Sequence, residues 1–255
     1  MSRVAIVTGA SKGIGLAIAK EFLNRGVSVI GVARSRDILA SLQAEFAKNY
    51  ANSLFIPCTA DVATSEGIGS IAQCLEKSKL ELCALVNNAG LIEPIAKVAD
   101  VSIDQWRRLL EVNVTSVVAL TQRLMPALRK NRACVVNVSS EAAGISLHGW
   151  SAYCSSKAAL NMLTMTMAIE EPDITMLAIG PGTVDTEMHH VIRNSKEGAM
   201  NPDDQEMLKQ LYLAGKLLRP EVPANAIAKL ALRAPKEISG RFHPWDAPEI
   251  AEYLE

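Results

Sequence analysis

Tyr153 and Lys157 stand four residues apart in SAYCSSKAAL (151–160), one helical turn from each other on a shared face. A free phenol titrates near about pH 10 and a free ammonium near about 10.4. Side by side, the ammonium favours the phenolate and is expected to lower the Tyr153 pKa. Such a pair can give or take a proton at an oxygen on which negative charge develops. Cys154 lies inside the same stretch, but no His is spaced to activate it as a nucleophile. Ser155 and Ser156 read as small packing residues. Ser139 and Ser140 end the apolar run CVVNVSS (134–140), and either hydroxyl could hold the reacting oxygen.

A proton donor needs elements to carry it. Short apolar runs rich in β-branched residues alternate with longer helical patterns. VAIVT (4–8), SVIGVA (28–33), LFIPC (54–58), CALVNN (83–88), CVVNVSS (134–140) and TMLAIG (175–180) read as strands. Their unbroken apolarity fits a sheet covered on both faces. Helices are expected near 13–25, 36–49, 65–78, 104–130 and 152–171. Alternation of this kind implies right-handed crossovers and a parallel sheet. ISGRF (238–242) is expected to add a last edge strand. The expectation is one Rossmann-type α/β domain over 1–255, with a seven-stranded parallel sheet between two helical layers. The charged, Met-rich segment 185–220 reads either as a helical flap over a site or as an ordinary helical excursion.

The first strand runs into Gly9, Gly13 and Gly15 and then a helix. Glycines let a phosphate approach the backbone, and the helix N-terminus offers unpaired N–H groups. The same loop could be only a tight turn, but its context is that of a dinucleotide site. In such folds an acid closing the second strand binds the ribose hydroxyls. Here Ala33 takes that place and Arg34 follows, while Lys12 lies inside the loop. Two cations suit a 2′-phosphate that a carboxylate would repel. Ser11 and Ser35 add donors, and Asp37 would reverse the preference if it faced the ribose. The expected cofactor is therefore NADP(H).

The net charge of −1 and the absence of like-charge blocks argue against nucleic acid or an anionic membrane surface as a partner. The odd count of five cysteines, without a C-x-x-C, suits free thiols in a reducing compartment. No apolar run approaches the length of a membrane span, so the expected location is the cytoplasm. The histidines lack ligand spacing, so no metal is expected.

TGASKGIG (8–15), DV (61–62), NNAG (87–90), VNV around Asn113, Ser140, YCSSK (153–157) and GPGTVDT (180–186) follow one another in a set order. Together they resemble the short-chain dehydrogenase/reductase family over about residues 3–245. The resemblance implies Tyr153 as acid/base and Lys157 as its partner and a ribose ligand. It implies Ser140, the better match of the two serines, as the carbonyl anchor, and Asn113 as the anchor of a relay water. For the cofactor it implies Gly9, Ser11, Lys12, Gly13, Ile14, Gly15, Arg34 and Ser35. It places Asp61 and Val62 at the adenine, and Asn88, Ala89 and Gly90 at the adenosine ribose. Pro181, Gly182, Val184 and Thr186 would meet the nicotinamide side. It also implies a homodimer, or a tetramer, through the 104–130 and 152–171 helices.

The substrate side is expected from Leu91, Ile92, Ile145, Leu147, Trp150 and Met188, which suit an apolar or aromatic ketone. GLIEPIAKV, GWSAYCSSKAALN, GPGTVDTEM and VPANAIAKLAL resemble the fungal benzil reductase group, near the sepiapterin reductases. That implies reduction of a vicinal diketone with NADPH. A sepiapterin-type, alcohol or hydroxysteroid dehydrogenase and a non-catalytic NADP sensor are the alternatives. Whether His148, His189 or Asp246 touches substrate is left open by the sequence.

Overall fold

The computed structural model describes residues 3–196 and 198–254. The chain begins β1 (Arg3–Thr8), α1 (Gly13–Asn24), β2 (Ser28–Ala33), α2 (Arg36–Asn49) and β3 (Phe55–Thr59). It continues α3 (Ser65–Ser78), β4 (Glu81–Asn87), α4 (Ile103–Leu110), α5 (Ser116–Asn131) and β5 (Cys134–Val138). Then come α6 (Ser151–Glu170), β6 (Met176–Gly180), α7 (Glu187–Arg193), α8 (Pro202–Leu213), α9 (Glu221–Arg233) and β7 (Phe242–Pro244).

All seven strands are parallel, in the order β3-β2-β1-β4-β5-β6-β7. The pleat explains the unbroken apolar runs. Along β1, Val4 and Ile6 enter one core with Ile71, Leu120 and Leu124 of α3 and α5. Ala5 and Val7 enter the other with Ile18, Phe22 and Ile227 of α1 and α9. Phe22 and Ile6 are fully buried, and each such side chain stabilises the fold by about 2 kcal/mol. Chain order reverses between β1 and β4, so a crevice opens beyond their carboxyl ends.

Two expected elements differ in detail, and a third is filled in. The helix expected over 104–130 contains a π-helical turn at Glu111–Thr115, between α4 and α5. The expected strand 238–242 begins only at Phe242. Gly240, at φ +79°, breaks the extended path, and Ile238 closes a short 3-10 turn instead. The segment 185–220 forms α7 and α8, and its two ends meet where Val184 bridges Leu218. Among the described residues no helix is long and apolar enough to cross a membrane.

Candidate active site

Tyr153 and Lys157 lie in the first two turns of α6, and both are buried. Lys157 Nζ donates to the Val138 carbonyl at the end of β5 (2.7 Å) and sits 5.6 Å from the Tyr153 ring centroid. Trp150 packs edge-on against Tyr153, with centroids 5.7 Å apart. Ser139 and Ser140 diverge just past β5. Ser139 Oγ donates to Asn161 Oδ1 (2.6 Å). Ser140 caps the short turn Glu141–Ala143 by accepting from Ala142 N–H (3.1 Å), and its hydroxyl is close enough to Tyr153 to pull the phenol pKa down. Ser140 thus acts on the phenol, while Ser139 lines the cavity beside Tyr153.

The electrostatics differ from the sequence expectation of a depressed phenol. Burial pushes Tyr153 up to about 12, the Ser140 hydrogen bond pulls it down, and the Glu141 charge pushes it up again. Burial also pulls Lys157 down to about 8. Desolvation dominates both shifts, because the same buried pocket disfavours both charged forms. At neutral pH Tyr153 is therefore a protonated donor.

Asn113 sits in the π-helical turn, 1% exposed. Its Oδ1 accepts from Leu91 N–H (2.8 Å), while Nδ2 donates to the Leu91 carbonyl (2.9 Å) and to Ser156 Oγ (3.0 Å). Ser156 Oγ donates in turn to the Tyr153 carbonyl (2.7 Å). Ser156 is thus more than the packing residue expected: it ties Asn113 to the helix that carries Tyr153. Both Nδ2 hydrogens are engaged, leaving one Oδ1 lone pair for the relay water that the resemblance implies. Sequence reasoning also missed a buried chain across the sheet. Asn87 Nδ2 donates to Asn137 Oδ1 (2.8 Å), and Asn137 Nδ2 donates to Thr164 Oγ1 (2.8 Å). The signal was available as single polar residues within apolar strands.

A cavity of about 440 Å³ joins this pair to the glycine loop. Gly9, Ser11, Lys12, Gly13, Ile14, Arg34, Ser35, Asp61, Val62, Asn88, Ala89, Gly90, Pro181 and Thr186 line it. Gly9 and Gly13 take φ of +69° and +56°, a region other residues seldom adopt. Gly15 is required by close approach instead, since a Cβ there would stand 2.3 Å from the Gly9 carbonyl oxygen. Asn88 Nδ2 donates to the Thr8 carbonyl (2.8 Å), and Thr8 Oγ1 accepts from the Asn88 and Ala89 N–H groups. These bonds pin the NNAG turn to the end of β1.

Lys12 is the N-cap of α1 and makes no side-chain cap bond. Arg34 is exposed and forms no ion pair among the described residues, while Asp37 lies in the first turn of α2, outside the cavity lining. Asp61 accepts from Ala63 N–H (3.0 Å) and from Arg108 (2.8 Å). Burial alone would raise its carboxyl, but these two bonds, with the Arg108 and Arg34 charges, hold it below the usual range. Arg108, unmarked in the sequence, also lines the cavity.

Three predicted cofactor residues do not line the cavity. Gly15 packs against the Gly9 backbone, Gly182 against the Leu218 and Trp245 side chains, and Val184 is buried in its bridge to Leu218. On the substrate side, Leu91, Ile92 and Met188 line the cavity together with Val191, Glu93 and Glu187. Leu147 and Trp150 pack into the apolar cluster behind Tyr153 and Ile92. Ile145 is 56% exposed and forms no part of the wall, because its turn runs over the surface. His148 and Asp246 are exposed and outside the lining, and His189 turns to Arg193.

This donor set fits a dinucleotide phosphate. Two left-handed glycines leave room at the mouth of α1, where the first-turn N–H groups lack helical partners. The comparisons agree. The chain matches the short chain dehydrogenase family over residues 3–197. It is 42% identical to an uncharacterised oxidoreductase of Schizosaccharomyces pombe over 95% of this chain and 96% of that one. It is 35% identical to the benzil reductase ((S)-benzoin forming) of Saccharomyces cerevisiae over 95% of each chain. Sepiapterin reductase of Rattus norvegicus is 30% identical over 90% of this chain and 91% of its own. Among solved structures, the KRED1-Pglu enzyme matches with a TM-score of 0.90 and 37% identity, over 95% of this chain and 100% of that one. L-sorbose reductase from Gluconobacter frateurii, complexed with NADPH and L-sorbose, has a TM-score of 0.83 at 27% identity over 95% and 94% of the chains. Glycine loop, sheet order and full-length relatives converge: the chain belongs to the short-chain dehydrogenase/reductase family of nicotinamide-dependent oxidoreductases.

Proposed function

We propose that the protein is an NADPH-dependent reductase of apolar or aromatic ketones, vicinal diketones of the benzil type included. One observation carries the reading: a single cavity joins Lys12 and Arg34 at one end to Tyr153 and an apolar wall of Leu91, Ile92, Met188 and Val191 at the other. The benzil reductase relative supports the same substrate class.

Lys12, Arg34 and Ser35 would hold the 2′-phosphate, with Arg108 pairing the nearby Asp61 carboxylate. Lys157 would hold the nicotinamide ribose. Bound there, NADPH supplies a hydride to the carbonyl carbon. Ser140 fixes the carbonyl oxygen beside the phenol, and Tyr153 gives its proton to that oxygen as charge grows on it. Leu91, Ile92 and Met188 exclude water from the reacting carbon. Asn113 holds the Leu91 backbone in place and offers its remaining Oδ1 lone pair to a relay water.

The protein is further proposed to work as a homodimer in the cytoplasm. Val118 of α5 and Met162, Met165 and Ile169 of α6 are exposed on the two helices named for that role. All five cysteines are free, as a reducing compartment requires. NADPH consumption with benzil, an α-keto ester, sepiapterin and a steroid ketone tests the reading. Turnover of the diketone or keto ester is expected. Turnover of sepiapterin or the steroid alone would replace the substrate class, and none with any ketone would leave a nucleotide sensor.

A further inference from the structure

We propose that Arg193 is a positioning residue that clamps α7 and α8 together and so sets the ketone-side wall, holding only while His189 is neutral. The proposal deepens the reading above, since it takes the Met188 and Val191 side of the cavity as the ketone side.

Arg193 ends α7, and four groups converge on its guanidinium. Nη1 contacts His189 Nδ1 (3.1 Å), and Nη2 contacts His190 Nδ1 (3.3 Å). Nη1 lies 4.0 Å from Asp185 Oδ1 in the loop before α7. The planar group lies over the Tyr212 ring of α8, 3.7 Å from its centroid. Asp185 N–H donates to the Leu218 carbonyl (2.9 Å) where the two ends of the segment meet. One side chain thus joins the base of the segment, its first helix and its second. The opposite side of α7 carries Met188 and Val191 into the cavity, so the clamp fixes where that wall stands.

A guanidinium only donates, so both Nδ1 atoms must accept. The His189 imidazole is then neutral, with its proton on Nε2. The His189 Nε2–H is buried without a hydrogen-bond partner among the described residues, a cost that the Nδ1 contact offsets. Protonation of His189 would place an N–H and a positive charge against the guanidinium at that contact. The charges acting on His189 are Arg193, from its own helix, and Asp185, from the preceding loop; α8 faces the pair with the Tyr212 ring. Burial and the Arg193 charge hold His189 below the usual imidazole range, with Asp185 opposing. The sign follows. The clamped arrangement keeps its full advantage above the ordinary imidazole value of about 6.5 and loses it as pH falls below that.

The test compares wild type with Arg193→Lys and Tyr212→Leu, which attack the clamp from its two helices. In each variant KM for the ketone is expected to rise about tenfold, with kcat and NADPH affinity within twofold. Wild-type KM should climb as pH falls through the imidazole range, whereas the Arg193→Lys value should be high and flat. Unchanged KM in both variants, or a flat wild-type profile, would overturn the proposal. Amide hydrogen exchange over 185–216 is read in parallel without any ketone. Faster exchange there alone in the variants supports the clamp even if no ketone is turned over, and unchanged exchange removes it.

Discussion

Tyr153 and Lys157 are each made to fit reduction by burial. The phenol, pushed up to about 12, keeps its proton at neutral pH, and the ammonium, pulled down to about 8, is less strongly charged than a free lysine. Tyr153→Phe removes the transferable proton and keeps the ring that Trp150 and Lys157 pack on. It is expected to abolish ketone reduction, by 10²-fold or more on the order of general-acid contributions, while fluorescence titration shows NADPH binding nearly intact. Retained turnover refutes the donor role. Glu141 supplies the pH test. Its charge raises the Tyr153 pKa, so Glu141→Gln lowers it. The reverse reaction, alcohol oxidation, needs the phenolate, so its rise with pH should move to lower pH in the variant. A shift upward, or none, contradicts the assignment. At the cofactor end, Arg34→Asp should cut kcat/KM for NADPH by about 100-fold, since it would replace the proposed phosphate partner by a repelling charge, while the value with NADH rises. A wild-type enzyme that prefers NADH would sink the NADP assignment. Residue types and their order marked these groups in the sequence. The sign of the Tyr153 shift was hidden there, because it depends on how much water the fold removes.

The helices and turns decide whether these residues meet. α6 presents Tyr153 and Lys157 on one face, as four-residue spacing requires, and that was legible. The π-helical turn at Glu111–Thr115 was not, because its residues follow an ordinary helical pattern. Asn113 in that turn reaches the Leu91 backbone and Ser156, so a local departure from helical geometry links α5, the substrate wall and α6. Ser156→Ala would leave the Asn113 Nδ2 group one partner short in a buried place, at about 1–3 kcal/mol. The melting temperature should fall by a few degrees, with a smaller kcat and little change in NADPH affinity. An unshifted melting temperature with full activity would reduce Ser156 to packing. The edge strand shows a similar limit. The sequence marked ISGRF, but Gly240 takes a left-handed conformation and delays pairing to Phe242. A Cβ at that position would also press on Ala168, and neither the φ nor that approach is written in the local residue pattern.

Across the whole molecule, alternating apolar strands and helices dictate a parallel sheet, and a parallel sheet dictates a site beyond its carboxyl ends. The glycine loop after β1, the NNAG turn after β4, Ser140 after β5 and Pro181 after β6 all fall on that edge. That is why so much of the site was readable from strand ends alone. The outer faces carry no such rule. Val118, Met162, Met165 and Ile169 are 41%, 60%, 47% and 76% exposed, and their spacing on α5 and α6 reads equally as core. Four large apolar side chains facing water on two helices ask for a cover, and a second copy related by a two-fold axis would place like against like. Ile169, the most exposed, is the best probe, because a charge there costs the isolated chain little. Ile169→Glu should shift sedimentation from dimer to monomer while circular dichroism stays native. A dimer of the proposed kind would gain stability with protein concentration, so the wild-type melting temperature should rise with concentration and the variant's should not. A wild-type protein that sediments as a monomer at micromolar concentration, with a melting temperature independent of concentration, would show that these helices stay uncovered.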